Sequence, residues 1–320
     1  MFSYSPRGSA LSLFFLSGIL GLGSCAAPKP QAHPPSQASP STLEDLLLPP
    51  GLPVFSLPSG TPPAPARTLL AGTDPASSKA MEAWKALRAL GREGGPALVL
   101  LLQEGTPQVK MAAATLLGCL DQRSLLPLCR ALGDPDPEVA AAGAFALGDL
   151  GCSQAAPRLL LEVLPAPTRS APLVRAAAAS SLLELGAPWG VPFLLGLLQA
   201  GCPGNGPLAK AFHLPEKERW ALEKEIGLRA LRRLSGKRFG LEPEQGWKDL
   251  RKGAQKWEAW WKEEKAKVLS RTSPKALQAL RSALARLEKA LPNLSPGERT
   301  RARAWIRETR RILEEGKGVE

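Results

Sequence analysis

The chain is poor in the side chains that most enzymes recruit. In 320 residues it has two histidines, His33 and His213, and one tyrosine, Tyr4. Tyr4 lies in an N-terminal leader and His33 in a proline-rich stretch, so His213 is the one imidazole of the candidate folded region. A Ser–His–Asp triad, a multi-histidine metal site or a tyrosine acid would have to be assembled from almost nothing. None of the five cysteines forms a Cys-x-x-Cys pair, which removes thioredoxin-like chemistry and the common zinc spacing. The lone Gly236-Lys237 lacks the glycine six residues before the lysine and the Ser/Thr after it, so it is no phosphate loop. No catalytic residue, metal ligand or cofactor is expected.

What the sequence does have begins with an address. Arg7 precedes an apolar run from about Leu11 to Leu22, shorter than the roughly 20 residues a membrane-spanning helix needs. Leu22-Gly23-Ser24-Cys25 follows and resembles the bacterial lipobox: an aliphatic residue, two small ones and the cysteine that takes the lipid. The resemblance implies a signal peptide over residues 1–24, lipidation of the Cys25 thiol and a membrane anchor. Ala26 stands where an Asp implies inner-membrane retention in Gram-negative lipoproteins, so the outer membrane is expected. Residues 25–75 read as a tether, because 13 of the 50 residues from Ala26 to Pro75 are proline and most others are small or polar. Within it, Thr42–Leu48 has the makings of a short helical turn, and Leu52, Val54, Phe55 and Leu57 are candidates for docking.

Residues 76–200 repeat. Leu90, Leu120, Leu150 and Leu185 are spaced 30, 30 and 35 apart, and Pro96, Pro127, Pro157 and Pro192 are spaced 31, 30 and 35 apart. A Pro-x-Val signature at Pro107, Pro137 and Pro172 keeps the same register. Each of the four units reads as helix, turn, helix. Pro137 suits a first helical turn, Gly151 a left-handed C-cap, and Leu159, Leu160, Val163 and Leu164 a core-facing stripe. One such pair has too little interior to fold alone, so the units must stack. Asp134-Pro135-Asp136-Pro137-Glu138-Val139, followed by Ala146-Leu147-Gly148-Asp149-Leu150-Gly151, resembles the short HEAT-like repeat of the type first noted in phycobilin lyases. The resemblance implies an α-solenoid and is nearly silent on activity. The paired His-Glu dipeptides of HEAT-like iron hydroxylases are absent from this sequence. Asp134 and Asp136 are expected to form turns and cap helices.

Charge divides the chain. Residues 201–320 hold 28 basic and 16 acidic side chains, which is the whole net charge of +12. Residues 201–270 read as a Trp-rich capping helix pair. One helix from about Pro215 to Leu234 carries Leu222, Ile226, Ala230, Leu231 and Leu234. The next carries Trp247, Leu250, Ala254, Trp257, Trp261 and Val268 at core spacing. Trp260 falls beside that stripe and is expected at the surface. Residues 271–320 read as a basic helical hairpin. Ser273 and Ser295 open its two helices, and Leu277, Leu280, Leu284, Leu287 and Leu291 run for too few heptads to favour an intermolecular coiled coil. Arg299, Arg301, Arg303, Arg307, Arg310 and Arg311 make its last helix basic. Cys119 and Cys129 are expected as small apolar side chains on repeat helices, and no spacing pairs Cys119, Cys129, Cys152 or Cys202.

The resulting expectation is an all-α, lipid-anchored, non-catalytic envelope protein. Its stacked second helices would offer a continuous surface to an unidentified protein or peptide client. The alternative is a module for anionic polymer or lipid head groups, carried by Trp260, Arg299, Arg303, Arg307, Arg310 and Arg311; nucleic acid fits less well, because the Trp row has core spacing.

Overall fold

The computed structural model describes residues 42–56, 61–74, 77–165, 170–200, 207–212, 214, 221–237, 239 and 247–317. The lipobox residues Leu22, Gly23, Ser24 and Cys25, together with Leu57, Cys202 and His213, lie outside them. The described residues form helices and no strand. Ahead of the repeats come α1 (Leu43–Leu46) and α2 (Ala64–Leu70). The four repeat units are α3 (Ser78–Ala89) with α4 (Gly95–Glu104), α5 (Pro107–Gly118) with α6 (Leu125–Ala131), α7 (Pro137–Asp149) with α8 (Ala156–Val163), and α9 (Pro172–Glu184) with α10 (Val191–Ala200). Then follow α11 (Pro207–Ala211), α12 (Ala221–Ser235), α13 (Trp247–Leu269), α14 (Pro274–Ala290) and α15 (Pro296–Lys317).

The sequence register is the structural register. Prolines occupy the first position of α5, α7 and α9, where a missing N–H costs nothing. Asp136 caps α7 by accepting from the Glu138 N–H at 2.8 Å and the Val139 N–H at 3.4 Å. Asp134 takes the Asp136 N–H at 3.0 Å and pairs with Lys110 of the preceding unit at 2.9 Å. Gly151, at φ +64°, ends the third first-helix in the left-handed region. The first helices α5, α7 and α9 pack side by side, α12 packs on α9 and α10, and α13 packs on α10. Close approach is built in: a Cβ on Gly148 of α7 would sit 2.9 Å from Ser181 of α9. The periodic leucines grade along the stack, from Leu90 at 42% exposed to Leu185 at 6%.

Several expectations need correction. The segment 42–74 is not a bare tether, because α1 packs on α14, α2 packs on α3 and α4, and Leu43, Leu47, Phe55, Ala66 and Leu69 are buried; α1 lies on residues far away in sequence, which local composition does not reveal. Trp260 is only 5% exposed. It stands edge-to-face on Trp257 at 5.5 Å and beside Trp261 at 6.2 Å, so it belongs to the aromatic seal of the array and leaves the candidate surface. Leu222 is 48% exposed, because it sits in the first turn of α12, ahead of the stretch buried on α9 and α10. Cys119 is exposed as the C-cap of α5, whereas Cys129 is buried as expected.

The hairpin caps differ from each other. Ser295 and Glu298 make the expected reciprocal box, with Ser295 N–H donating to Glu298 at 3.3 Å and Glu298 N–H to Ser295 Oγ at 3.4 Å. Ser273 makes no side-chain cap; its N–H instead donates to the Gly186 carbonyl at 2.9 Å and ties α14 to the end of α9.

Candidate functional site

The second helices of units three and four, α8 and α10, do not present an open surface. Every residue of α8 is buried, including the charged pair Arg158 and Glu162. An amphipathic helix buried all round has had its polar face covered by something else. Here the cover is the chain itself. The α14 helix packs on α8 and on the turn before it, and the Trp305 indole N–H of α15 donates to the Pro157 carbonyl at 3.1 Å. Helices α11, α12 and α13 pack on α10 in the same way.

Beneath the cover lies a polar network that the sequence did not announce. Arg158 pairs with Glu162, one turn apart, and the Ser170 hydroxyl donates to the same carboxylate. Burial works to lower the Arg158 pKa, but the Glu162 carboxylate outweighs it and holds the guanidinium above its ordinary value. Arg175 of α9 donates to the carbonyls of Leu164 at 3.1 Å and Phe212 at 3.2 Å. Its guanidinium lies 4.5 Å from the Phe193 ring centre, and burial lowers its pKa to about 10. An Arg–Glu pair at i, i+4 ordinarily reads as a solvated helix face, so only the three-dimensional cover reveals it as interior.

A strap runs along this face. Thr42 and Asp45 close a capping box around α1. Glu298 of α15 accepts the Leu43 N–H at 3.3 Å, and Arg301 pairs with Glu44 at 2.8 Å. From α14, Arg286 donates to the carbonyls of Leu46 at 3.1 Å and Leu47 at 3.3 Å, and burial lowers its pKa. Farther on, Phe55 lies under Arg123 at 4.5 Å, in the space a Cβ on Gly95 would fill at 2.2 Å. Residues 42–56 therefore bridge the C-terminal hairpin and the first two units.

Two clefts flank the strap. One of about 600 Å³ opens between the turns after α5 and α7 and the first half of α14. Its polar lining is Gln122, Gln154, Gln278, Ser153, Ser282, Lys275 and Arg286, with no carboxylate, set among apolar residues such as Leu47, Pro157 and Pro274. Such amides and hydroxyls both donate and accept, as an extended backbone requires. The second, of about 170 Å³, lies between α1, α6 and α8 and is lined in part by Arg130, Arg158 and Cys129. Burial pushes the Cys129 thiol up to about 12, so it is a protonated, apolar group at neutral pH.

The predicted arginines separate. Arg303, Arg307, Arg310 and Arg311 line one open groove with Glu288 and Glu314 on the outer side of the hairpin. Arg310 pairs with Glu288 at 2.7 Å, and Arg311 pairs with Glu308 and with Glu315 at 2.8 Å. Arg299 instead turns back to the Leu294 carbonyl at 3.0 Å and braces the hairpin turn. Trp260 is in the core. Among the described residues no group of three or more His, Cys, Asp or Glu is placed to hold a metal ion, and no helix is long and apolar enough to cross a membrane.

Fold and site together define a short α-solenoid of stacked helix pairs whose second-helix face is filled by its own distant segments. The family model for HEAT repeats matches residues 95–182 and, in a shifted register, 125–204. The match spans about a third of the chain. No curated protein matches it at a significant level. Among solved structures, the complex of CpcE and CpcF of phycocyanin lyase from Nostoc sp. PCC7120 is 18% identical, covering 85% of this chain and 100% of that one, with a TM-score of 0.30. A designed armadillo repeat protein in complex with the peptide (KR)4 is 16% identical, covering 79% of this chain and 100% of that one, with a TM-score of 0.28. Both scores lie below the level at which two chains share an overall shape.

Proposed function

We propose that this chain is a non-catalytic, lipid-anchored scaffold of the bacterial envelope that binds a protein or peptide partner. The observation that supports this reading is the second-helix face of units two and three. It already holds a stretch of polypeptide, residues 42–56, and beside that stretch leaves an open cleft of about 600 Å³ in which amides, hydroxyls and two cations alternate with apolar residues such as Leu47, Pro157 and Pro274. A photo-crosslinking residue at exposed Gln278, in the cleft, forms an adduct with a partner in intact cells; one at exposed Lys79 on α3 does not. Absence of any adduct from the cleft position overturns the reading.

The anchor would be Cys25, with the outer membrane as its site. Only sixteen residues separate Cys25 from docked Thr42. At about 3.3–3.6 Å per residue they reach at most about 60 Å, against about 180 Å for the 50-residue tether that composition suggests. Partner binding would therefore take place close to the bilayer. Cys25→Ser releases the protein into the soluble fraction; unchanged membrane fractionation removes the anchor from the account.

A second reading rests on Arg303 and Arg307. Both are exposed, one turn apart, with no carboxylate partner among the described residues. They suit anionic polymer or lipid head groups. Binding of that kind weakens steeply with salt, whereas capture in the cleft does not.

A further inference from the structure

We propose that the groove holding residues 42–48 is a receptor for an acidic, leucine-rich helical turn of a partner protein, and that the chain's own turn occupies it in cis. This rests on the scaffold reading and names the partner's chemistry.

The groove dictates the conformation of its occupant. A helix of four residues has no stability of its own, since nucleation costs more than one turn returns, so the order of α1 comes from docking. Recognition is specific at each end. Leu43 and Leu47, at i and i+4, are fully buried. Arg286 caps the last carbonyls, those of Leu46 and Leu47, as a cation at a helix C-terminus does. Arg301 takes the Glu44 carboxylate, and Glu298 takes the Leu43 N–H.

The cis occupant nevertheless fits incompletely. Beside it remains the open cleft of about 170 Å³, and Arg158, which lines that cleft, is 4% exposed with no hydrogen-bond partner for its Nε among the described residues. A buried, unsatisfied guanidinium donor beside empty space is the feature a better ligand would relieve. Arg130 stands at the rim of the same cleft. The strap's two carboxylates both line it but are already engaged, Asp45 by Thr42 in the capping box and Glu44 by Arg301. A partner turn with leucines at i and i+4 and an additional carboxylate toward α8 is thus matched in shape and charge, and a basic segment is rejected. Because the resident turn is held by covalent linkage, its effective concentration substitutes for affinity, and a tighter free ligand displaces it.

The test uses the full chain and a fluorescent peptide with the sequence of residues 41–52. Opening the groove with Leu43→Ser and Leu47→Ser raises peptide affinity at least tenfold over the unaltered chain. Adding Arg286→Ala and Arg301→Ala abolishes that gain, and a peptide carrying Leu48→Glu binds tighter than the parent. Alkylation of Cys129, which lines the cleft, speeds up in the opened chain and slows again with peptide bound. Equal affinity for the opened and unaltered chains, or no binding while Cys129 has become reactive, overturns the proposal. Where the opened chain loses its helical circular dichroism, hydrogen exchange of amides 43–48 in the unaltered chain decides. Saturating Leu48→Glu peptide accelerates exchange there, and unchanged exchange overturns the proposal. Adducts from Gln278 report on the scaffold reading independently of either peptide.

Discussion

The repeat stack and its cover are held together by different kinds of contact. In the stack, α5 touches α7 and α7 touches α9, about 30 residues apart, through small side chains repeated in register. In the cover, the decisive contacts join Glu44 to Arg301, Leu46 to Arg286 and Pro157 to Trp305, over 257, 240 and 148 residues. The first kind leaves a period in the sequence, because each unit must solve the same packing problem. The second kind leaves none, because each contact is made once.

Breaking the stack has the largest effect. Leu147 is fully buried in α7 between two neighbouring helices, so Leu147→Asp places an uncompensated charge in the shared interior. The expected loss is at least about 3–5 kcal/mol, seen as cooperative loss of several units in thermal melting; an unaltered melting curve contradicts the shared core. Breaking the cover comes second. Trp305→Ala removes a fully buried indole and its bond to Pro157, costing about 3–5 kcal/mol at that site, while the circular dichroism of the stack persists. Joint loss of stack and cover would mean that the two regions are one cooperative unit. Smaller again, Arg286→Ala removes two carbonyl caps for about 1–2 kcal/mol, and hydrogen exchange should speed up at residues 43–48 alone.

The smallest effect concerns charge. The Ser295 hydroxyl bonded to Glu298, with further N–H donors from Leu43 and Ser295, holds that carboxyl below its ordinary value of 4.5. A depressed carboxylate contributes stability that is complete above the unfolded pKa and lost as pH falls through the folded one. Acid titration should therefore loosen the strap and hairpin ends below about pH 4.5, and Glu298→Gln should flatten that step. A denaturation profile identical in the two proteins contradicts it.

How far the sequence reached follows from the same contrast. Prolines 107, 137 and 172, Asp136 and Gly151 each carry out locally the task their residue type predicts. The Trp row reads as core because its spacing follows a helix face; Trp260 misleads because it fills a gap against Trp257 and Trp261 instead of following the stripe. The strap was half legible. Thr42 and Asp45 mark a turn, but nothing near them says that Arg286 and Arg301 wait for it. Arg158 and Glu162 were the least legible, since a pair one turn apart looks the same whether water or another helix lies over it.

Carboxyl footprinting of the intact chain tests the cover most directly. The buried Glu162 of α8 should resist carbodiimide coupling while the exposed Glu138 of α7 reacts, and Trp305→Ala should open Glu162 to the reagent. If Glu162 in the unaltered chain reacts as readily as Glu138, the second-helix face is open to solvent and the account of a self-covered solenoid is wrong.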